Sequence, residues 1–298
     1  MQYPKQFFVL FALLLIKPSN YTMKNYKLFI LLVVTAFFVA CSKDDSSGSG
    51  TAPVANDNPI SGQFQKRVLI EDFTGTWCGY CPRVAYGIDQ VMLQTTKAVP
   101  VAIHQQSSSF DPYHFAGAAP LVSQINLTGY PTAMLNRVTE WGYPENANAG
   151  QVKGLVSNNC GLGLALNSTV SAGNINLDVN IKFAKDYTGL KLIVYALEDN
   201  LIYNQTNYTS FYGGGNVIAN FEHDNVLRAS LTNILGDDIT GTTTTGQVVT
   251  KNFSIPVPSN VSNVSNLHFV AFVVGSDKKT INVRAENPGE NQVYEVNP

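Results

Sequence analysis

Six residues, Val68-Leu69-Ile70-Glu71-Asp72-Phe73, lead through Thr74-Gly75-Thr76 into Trp77-Cys78-Gly79-Tyr80-Cys81-Pro82 and on into Arg83 to Gln94. The apolar, turn-bounded run reads as a buried strand and the stretch after the cysteines as a helix. Two cysteines are therefore fixed at a strand-to-helix junction, which demands an α/β arrangement in this part of the chain. Cys78 is expected at the helix start, where unpaired N–H groups and the positive end of the dipole favour thiolate over thiol. Pro82 biases Cys81 away from helical geometry, although proline is tolerated in a first helical turn.

The pattern continues with a strand over 98–104, a helix over about 113–126, a strand over 132–136, a short strand over 138–141 and a helix over about 147–158. From Gly161 the texture changes. Leu164–Val170, Ile175–Phe183, Leu190–Leu197, Val226–Leu231, Val248–Val257, Leu267–Val274 and Ile281–Ala285 are short β-prone runs. With turn residues between them and no long helix, they predict an all-β, immunoglobulin-like sandwich. Asn176, Asp178 and Asn180 alternate with Ile175, Leu177, Val179 and Ile181, giving that strand one wet face. The connection Tyr203–Asn225 is long, rich in Tyr, Asn, Ser and Gly, and reads either as a ligand or partner site or as aromatics folded onto the sandwich core. The chain of 298 residues thus divides into 63–159 and 160–298, preceded by a signal region over 1–40 and a tether over 41–62. With 19 Lys plus Arg against 21 Asp plus Glu, it lacks the basic excess that nucleic acid binding requires.

Three plainer uses of the cysteine pair compete with redox chemistry: a zinc site, a static disulfide and a scaffold without activity. Zinc needs four ligands, and His104 and His114 come without a second CxxC. No metal is expected. An exported chain meets oxidising conditions, in which a two-residue loop can stay closed. His104, at the end of an apolar strand, reads as a structural histidine. His223 and Asp224 are two candidate ligands without a third. Gly161 and Gly163 lack the further glycine of a dinucleotide loop.

The residues around the motif resemble the thioredoxin superfamily. Trp77 precedes the first cysteine, Asp72 stands six residues before it, and Gly129-Tyr130-Pro131-Thr132 is similar to that superfamily's cis-proline loop. The resemblance covers about Lys66 to Asn159 and implies a thioredoxin-like α/β domain. It implies Cys78 as attacking thiolate, Cys81 as resolving thiol, Asp72 as proton relay, and Trp77, Tyr130 and Pro131 along a substrate groove. Thioredoxin's own cysteine titrates at about 7 against about 8.5 for a free thiol. Tyr80 replaces the proline of the commonest pair, which leaves the direction of exchange open. With Cys78 and Cys81 as the redox-active disulfide, no further cofactor is expected, and Cys160 is left as a small buried hydrophobe.

At the amino terminus, the apolar runs Phe7–Ile16 and Leu28–Ala40 are shorter than the ~20 residues of a membrane-spanning helix. The second follows Met23-Lys24-Asn25-Tyr26-Lys27 and ends Phe38-Val39-Ala40-Cys41, which resembles a bacterial lipoprotein signal complete from Met23 and lipidated on Cys41, with Met1 to Thr22 either an upstream mis-start or an elongated n-region. Phe38 is bulkier than the usual leucine. Cleavage removes four lysines and no acid, leaving 15 basic against 21 acidic residues. Ser42-Lys43-Asp44-Asp45 is similar to a Bacteroidota-type export tag, and the tether that follows reaches about 25 Å. The Glu71–Pro82 stretch and the His223–Arg228 segment, His-x-x-Val-Leu-Arg, resemble outer-membrane-protein-28-related lipoproteins of such bacteria. The expectation is a lipid-anchored outer-membrane protein, exposed either at the cell surface or on the periplasmic face, that exchanges disulfides with exported proteins. The alternative is a binding or adhesion lipoprotein that uses the β-sandwich for a surface ligand and the CxxC as a staple. Metabolic labelling with a lipid probe is expected to vanish in Cys41→Ala, and retained labelling would refute the anchor.

Overall fold

The computed structural model describes residues 64–297 apart from Ser108. The signal region, Cys41 and the tether lie outside the described residues. The chain folds as mostly β-sheet with few helices. Strand β1 (Phe64–Lys66) precedes β2 (Val68–Thr74), helix α1 (Pro82–Met92) and β3 (Ala98–His104). Then come α2 (Ala119–Gln124), β4 (Thr132–Leu135), β5 (Thr139–Glu140), α3 (Ala149–Lys153) and β6 (Ser157–Cys160), which pairs with β1. Strands β2 and β3 are parallel across α1, and β4 runs antiparallel on the other side of β2.

All seven β-prone runs of the second half form strands: β7 (Leu162–Ser171), β8 (Asn174–Phe183), β9 (Lys191–Glu198), β12 (Val226–Ser230), β14 (Val248–Pro256), β15 (Leu267–Val274) and β16 (Thr280–Glu286). Between β9 and β12 stand β10 (Leu201–Thr206) and β11 (Val217–His223), and a short β13 (Asp237–Asp238) pairs with β9. The long connection expected at 203–225 is therefore largely an antiparallel hairpin, with Leu201 opposite His223 and Thr206 opposite Val217.

The sheet does not stop at the boundary expected at residue 160. One nine-stranded sheet runs in the order β16-β15-β9-β12-β3-β2-β4-β5, with β13 off this path beside β9, and the other three long strands form a second sheet, β14-β8-β7. The join is β12, antiparallel to β9 on one side and parallel to β3 on the other, with Val226 opposite both Glu198 and Ala102. Period-two alternation then assigns the faces. Leu192, Val194 and Ala196 of β9 pack with Phe269, Ala271 and Val273 of β15 against β7 and β8, which is the two-layer part of the fold. Ile193, Tyr195 and Leu197 point the other way and share a core with Leu69 and Phe73 of β2 and Val101 of β3. Strands buried on both faces read as the continuous apolar runs seen in the sequence. The third core lies over the opposite face of β2, where Val68 and Ile70 meet Val84 and Val91 of α1 and the buried Trp141.

Two helices are shorter than their sequence suggests. Of 113–126 only a 3-10 turn (Ala116–Ala118) and α2 are helical, because Asp111 holds the backbone N–H of Tyr113 at 2.8 Å in a turn and Pro120 belongs at a helix start. The helix expected over 147–158 ends at Lys153 before Gly154, and Ser157–Cys160 is drawn into pairing with β1.

A buried ion pair ties the halves together. Glu71 on β2 faces Arg137 in the β4–β5 turn at 3.2 Å; Arg137 also donates to the Ile234 carbonyl at 2.9 Å and lies over the Phe272 ring. The Tyr195 hydroxyl of β9 contacts both charged groups. Removing one partner of a buried pair strands the other's charge, at about 3–5 kcal/mol. Arg137→Met is expected to lose that much in urea unfolding monitored on the whole chain, and Glu71→Gln combined with Arg137→Met substantially less.

Candidate functional site

Cys78 and Cys81 are joined as a disulfide. The helix begins later than expected: Cys81, not Cys78, is the N-cap of α1, with helical φ −63° and ψ −31° despite the proline that follows. Pro82 at the first helical position carries no N–H to leave unpaired, so the helix accommodates it there. Cys78 lies in the preceding turn, its carbonyl accepting the Cys81 N–H at 3.2 Å. Because the dipole effect falls off within the first turn, it bears on Cys81 more directly than on Cys78.

Asp72 follows Val68 and Ile70 on the α1 side of β2, so alternation aims its carboxyl under the start of α1. It is buried, and its Oδ1 has no hydrogen-bond partner. Burial, reinforced by the negative charge of Glu145 and opposed by Arg83, holds the carboxyl well above the usual aspartate range. Trp77 is half-buried, donates from Nε1 to the Gln105 carbonyl at 2.8 Å and stands edge-on to Tyr130 at 5.3 Å. That contact places the Tyr130–Pro131 loop, whose peptide bond is cis, beside the residue before Cys78. The structure thus brings five expected residues, Cys78, Cys81, Trp77, Tyr130 and Pro131, to one end of the sheet, with Asp72 beneath.

The β10–β11 hairpin, unforeseen in the sequence, covers the motif. Thr206 N donates to the Thr76 carbonyl at 2.8 Å, Tyr208 N to the Gly79 carbonyl at 2.7 Å, and Gln205 Nε2 to the Cys78 carbonyl at 2.9 Å. Tyr208 lies so close over Gly79 that a Cβ there would overlap its ring. Phe211 stacks on Tyr86 at 4.5 Å, and the Tyr212 hydroxyl donates to Asp89 at 2.6 Å. Phe211 and Tyr212 therefore fold onto α1, and Tyr208 onto Gly79 and Tyr80, rather than onto the sandwich core.

Between α1 and the hairpin lies a cavity of about 470 Å³. Its floor is Asp72 and Thr74 of β2 with Pro100, Ala102 and His104 of β3, and Cys81 stands in the α1 wall. His223 from β11 completes it; burial, with His104 nearby, lowers its pKa to about 3, so it is uncharged. His104 is buried and faces Asp111 at 3.1 Å, and Asp111 also accepts the Thr76 N–H at 2.6 Å. Among the described residues no group of three or more His, Cys, Asp or Glu is placed to hold a metal. Cys160 is buried and free. In the His223–Arg228 segment, Val226 and Leu227 are core residues and Arg228 pairs with Glu198 at 3.2 Å.

The family model described as "Outer membrane protein Omp28" matches residues 118–292, more than half of the chain. The chain belongs to the Omp28 family. Membership places it in the outer membrane, the location expected for a lipoprotein, and no helix among the described residues is long and apolar enough to cross a bilayer. No curated protein matches the chain. Among solved structures it is similar to HBP35 of Porphyromonas gingivalis, at 20% identity and a TM-score of 0.56, over 78% of each chain. A domain of the outer membrane lipoprotein Omp28 from Porphyromonas gingivalis matches at 17% identity and a TM-score of 0.29, over 45% of this chain and 92% of that one. The likeness to HBP35 is one of fold.

The raised pKa of Asp72 has a sign that can be checked. Its stability contribution is fully present below about 3.9, the unfolded value, and is lost as pH rises toward the folded one. Asp72→Asn removes that loss, so its melting temperature relative to the parent is expected to climb from pH 3.5 to pH 8. A constant difference across that range would refute the raised pKa of the buried carboxyl.

Proposed function

We propose that this Omp28-family protein is a lipid-anchored thiol-disulfide oxidoreductase acting on exported proteins. In this reading residues 63–159 are a thioredoxin-like unit carrying the reaction, and Cys41 carries the lipid. The observation that supports it is the placing of Cys81 with Asp72, whose buried carboxyl has an unpartnered Oδ1 and a pKa held well above the usual range, in one cavity behind a disulfide at the start of a helix. The parallel β2–α1–β3 crossover, antiparallel β4 and β5, and the cis Tyr130–Pro131 bond beside Trp77 add to it.

Exchange begins with a client thiolate attacking Cys78 Sγ. The Cys78–Cys81 bond breaks, a client–Cys78 bond forms, and Cys81 leaves as thiolate and takes the Asp72 proton. A second client thiolate attacks the client sulfur, forming the client disulfide and releasing Cys78 as thiolate. The client loses two electrons and the cysteine pair gains them; run in reverse, the same steps reduce a client disulfide. Cys81 suits the resolving role because it faces the cavity with the acid, whereas Cys78 does not line it.

A second reading, an adhesion or binding lipoprotein with a structural staple, draws support from the hairpin packed over the motif. Cys81→Ser separates the two. Under the exchange reading, the variant accumulates client proteins on Cys78 that reducing agent releases, and Cys78→Ser captures none. Under the staple reading, neither variant captures a client, and the parent disulfide shows no turnover with a thiol-bearing protein.

A further inference from the structure

The cavity behind the disulfide has a chemical character that thiol exchange does not require. Four carboxyl groups line it, Asp72, Asp89, Glu222 and Asp224, and neither lysine nor arginine does. Its two histidines bring little compensating charge: His223 is held neutral by burial, and His104 is spoken for by Asp111. Two polar atoms facing it are buried without a partner, Asp72 Oδ1 and His223 Nε2, on side chains only 3% and 5% exposed. Buried polar groups ordinarily find partners, so these two leave acceptor positions open toward the cavity. Ile88 and Phe221 give the same space an apolar side, and Phe221 and Tyr212 stand edge-to-face at 5.1 Å. Its volume of about 470 Å³ falls within the roughly 300–1,000 Å³ of small-molecule sites.

We propose that this cavity binds a small organic cation, an ammonium or guanidinium on an apolar stem, with the head on Asp72 Oδ1 and His223 Nε2 and the stem along Ile88 and Phe221. A donor-rich cation supplies hydrogen bonds to both acceptors, which an anion does not. The carboxylates of Glu222 and Asp224 at the rim attract it, and the Phe221 ring offers a cation–π face. The site lies in a space bounded by both halves of the chain, so occupancy joins the hairpin to α1.

The test uses the full chain in detergent with Cys78 and Cys81 both changed to alanine, so that binding is read without exchange and the two proposals fail separately. Titration calorimetry with pentylamine and agmatine is expected to show saturable one-site binding, at least tenfold weaker for pentanol. Glu222→Gln combined with Asp224→Asn is expected to weaken pentylamine at least tenfold while leaving the melting temperature unchanged, and His223→Leu to weaken it further. Agmatine binding without binding of a blocked arginine pentapeptide assigns the cation to a free small molecule; equal binding assigns it to a polypeptide side chain. Pentanol binding as tightly as pentylamine, indifference to the rim substitutions, or binding of Zn2+ alone would overturn the proposal.

Discussion

Five residues, Val226–Ser230, join the two ends of the sheet that runs through the described residues. Strand β12 hydrogen-bonds to β9 on one side and to β3 on the other, so the CxxC end of the sheet and its sandwich end share a ladder. The cores follow from that: Leu69 and Phe73 at one end and Ile193 and Tyr195 at the other belong to one apolar face. The Glu71–Arg137 pair, capped by the Tyr195 hydroxyl, is acceptable only because residues from both ends close around it. Charges that deep are satisfied by completed packing or not at all.

Much of the fold was legible locally. Leu190–Leu197 and Leu267–Val274 read as β-prone runs, and both form strands, which the structure buries on both faces. What local pattern does not carry is pairing across more than a hundred residues, as when Val226 lies beside Ala102. Nothing in Val226–Ser230 distinguishes a strand of a separate sandwich from the splice between two ends of one sheet. The β10–β11 hairpin escaped notice for a different reason: Ile202, Tyr203 and Val217 are exposed, so its strands lack the clean alternation of a half-buried pair. The turn imposed by Asp111 likewise hid in a segment whose composition suited a helix.

The cysteine site divides the same way. Cys78, Cys81, Asp72 and Trp77 lie within one strand and one helix start, and chain geometry alone brings them together. Gln205, Tyr208 and His223 reach the site from far along the chain, Gln205 meeting Cys78 across 127 positions. The signal available for them was compositional, an aromatic and glycine-rich stretch followed by histidine. It fitted a ligand or partner site and aromatics folded onto the sandwich core equally, and neither reading pointed to the protein's own motif.

That the cover over Cys78 is made by residues 201–223 matters for a chain threaded through a membrane from its amino terminus. The two sulfurs emerge, and meet an oxidising compartment, well before Gln205 and Tyr208 follow them. The pair is enclosed only once the carboxyl-terminal half has folded, because Gln205 and Tyr208 supply the bonds to the Cys78 and Gly79 carbonyls.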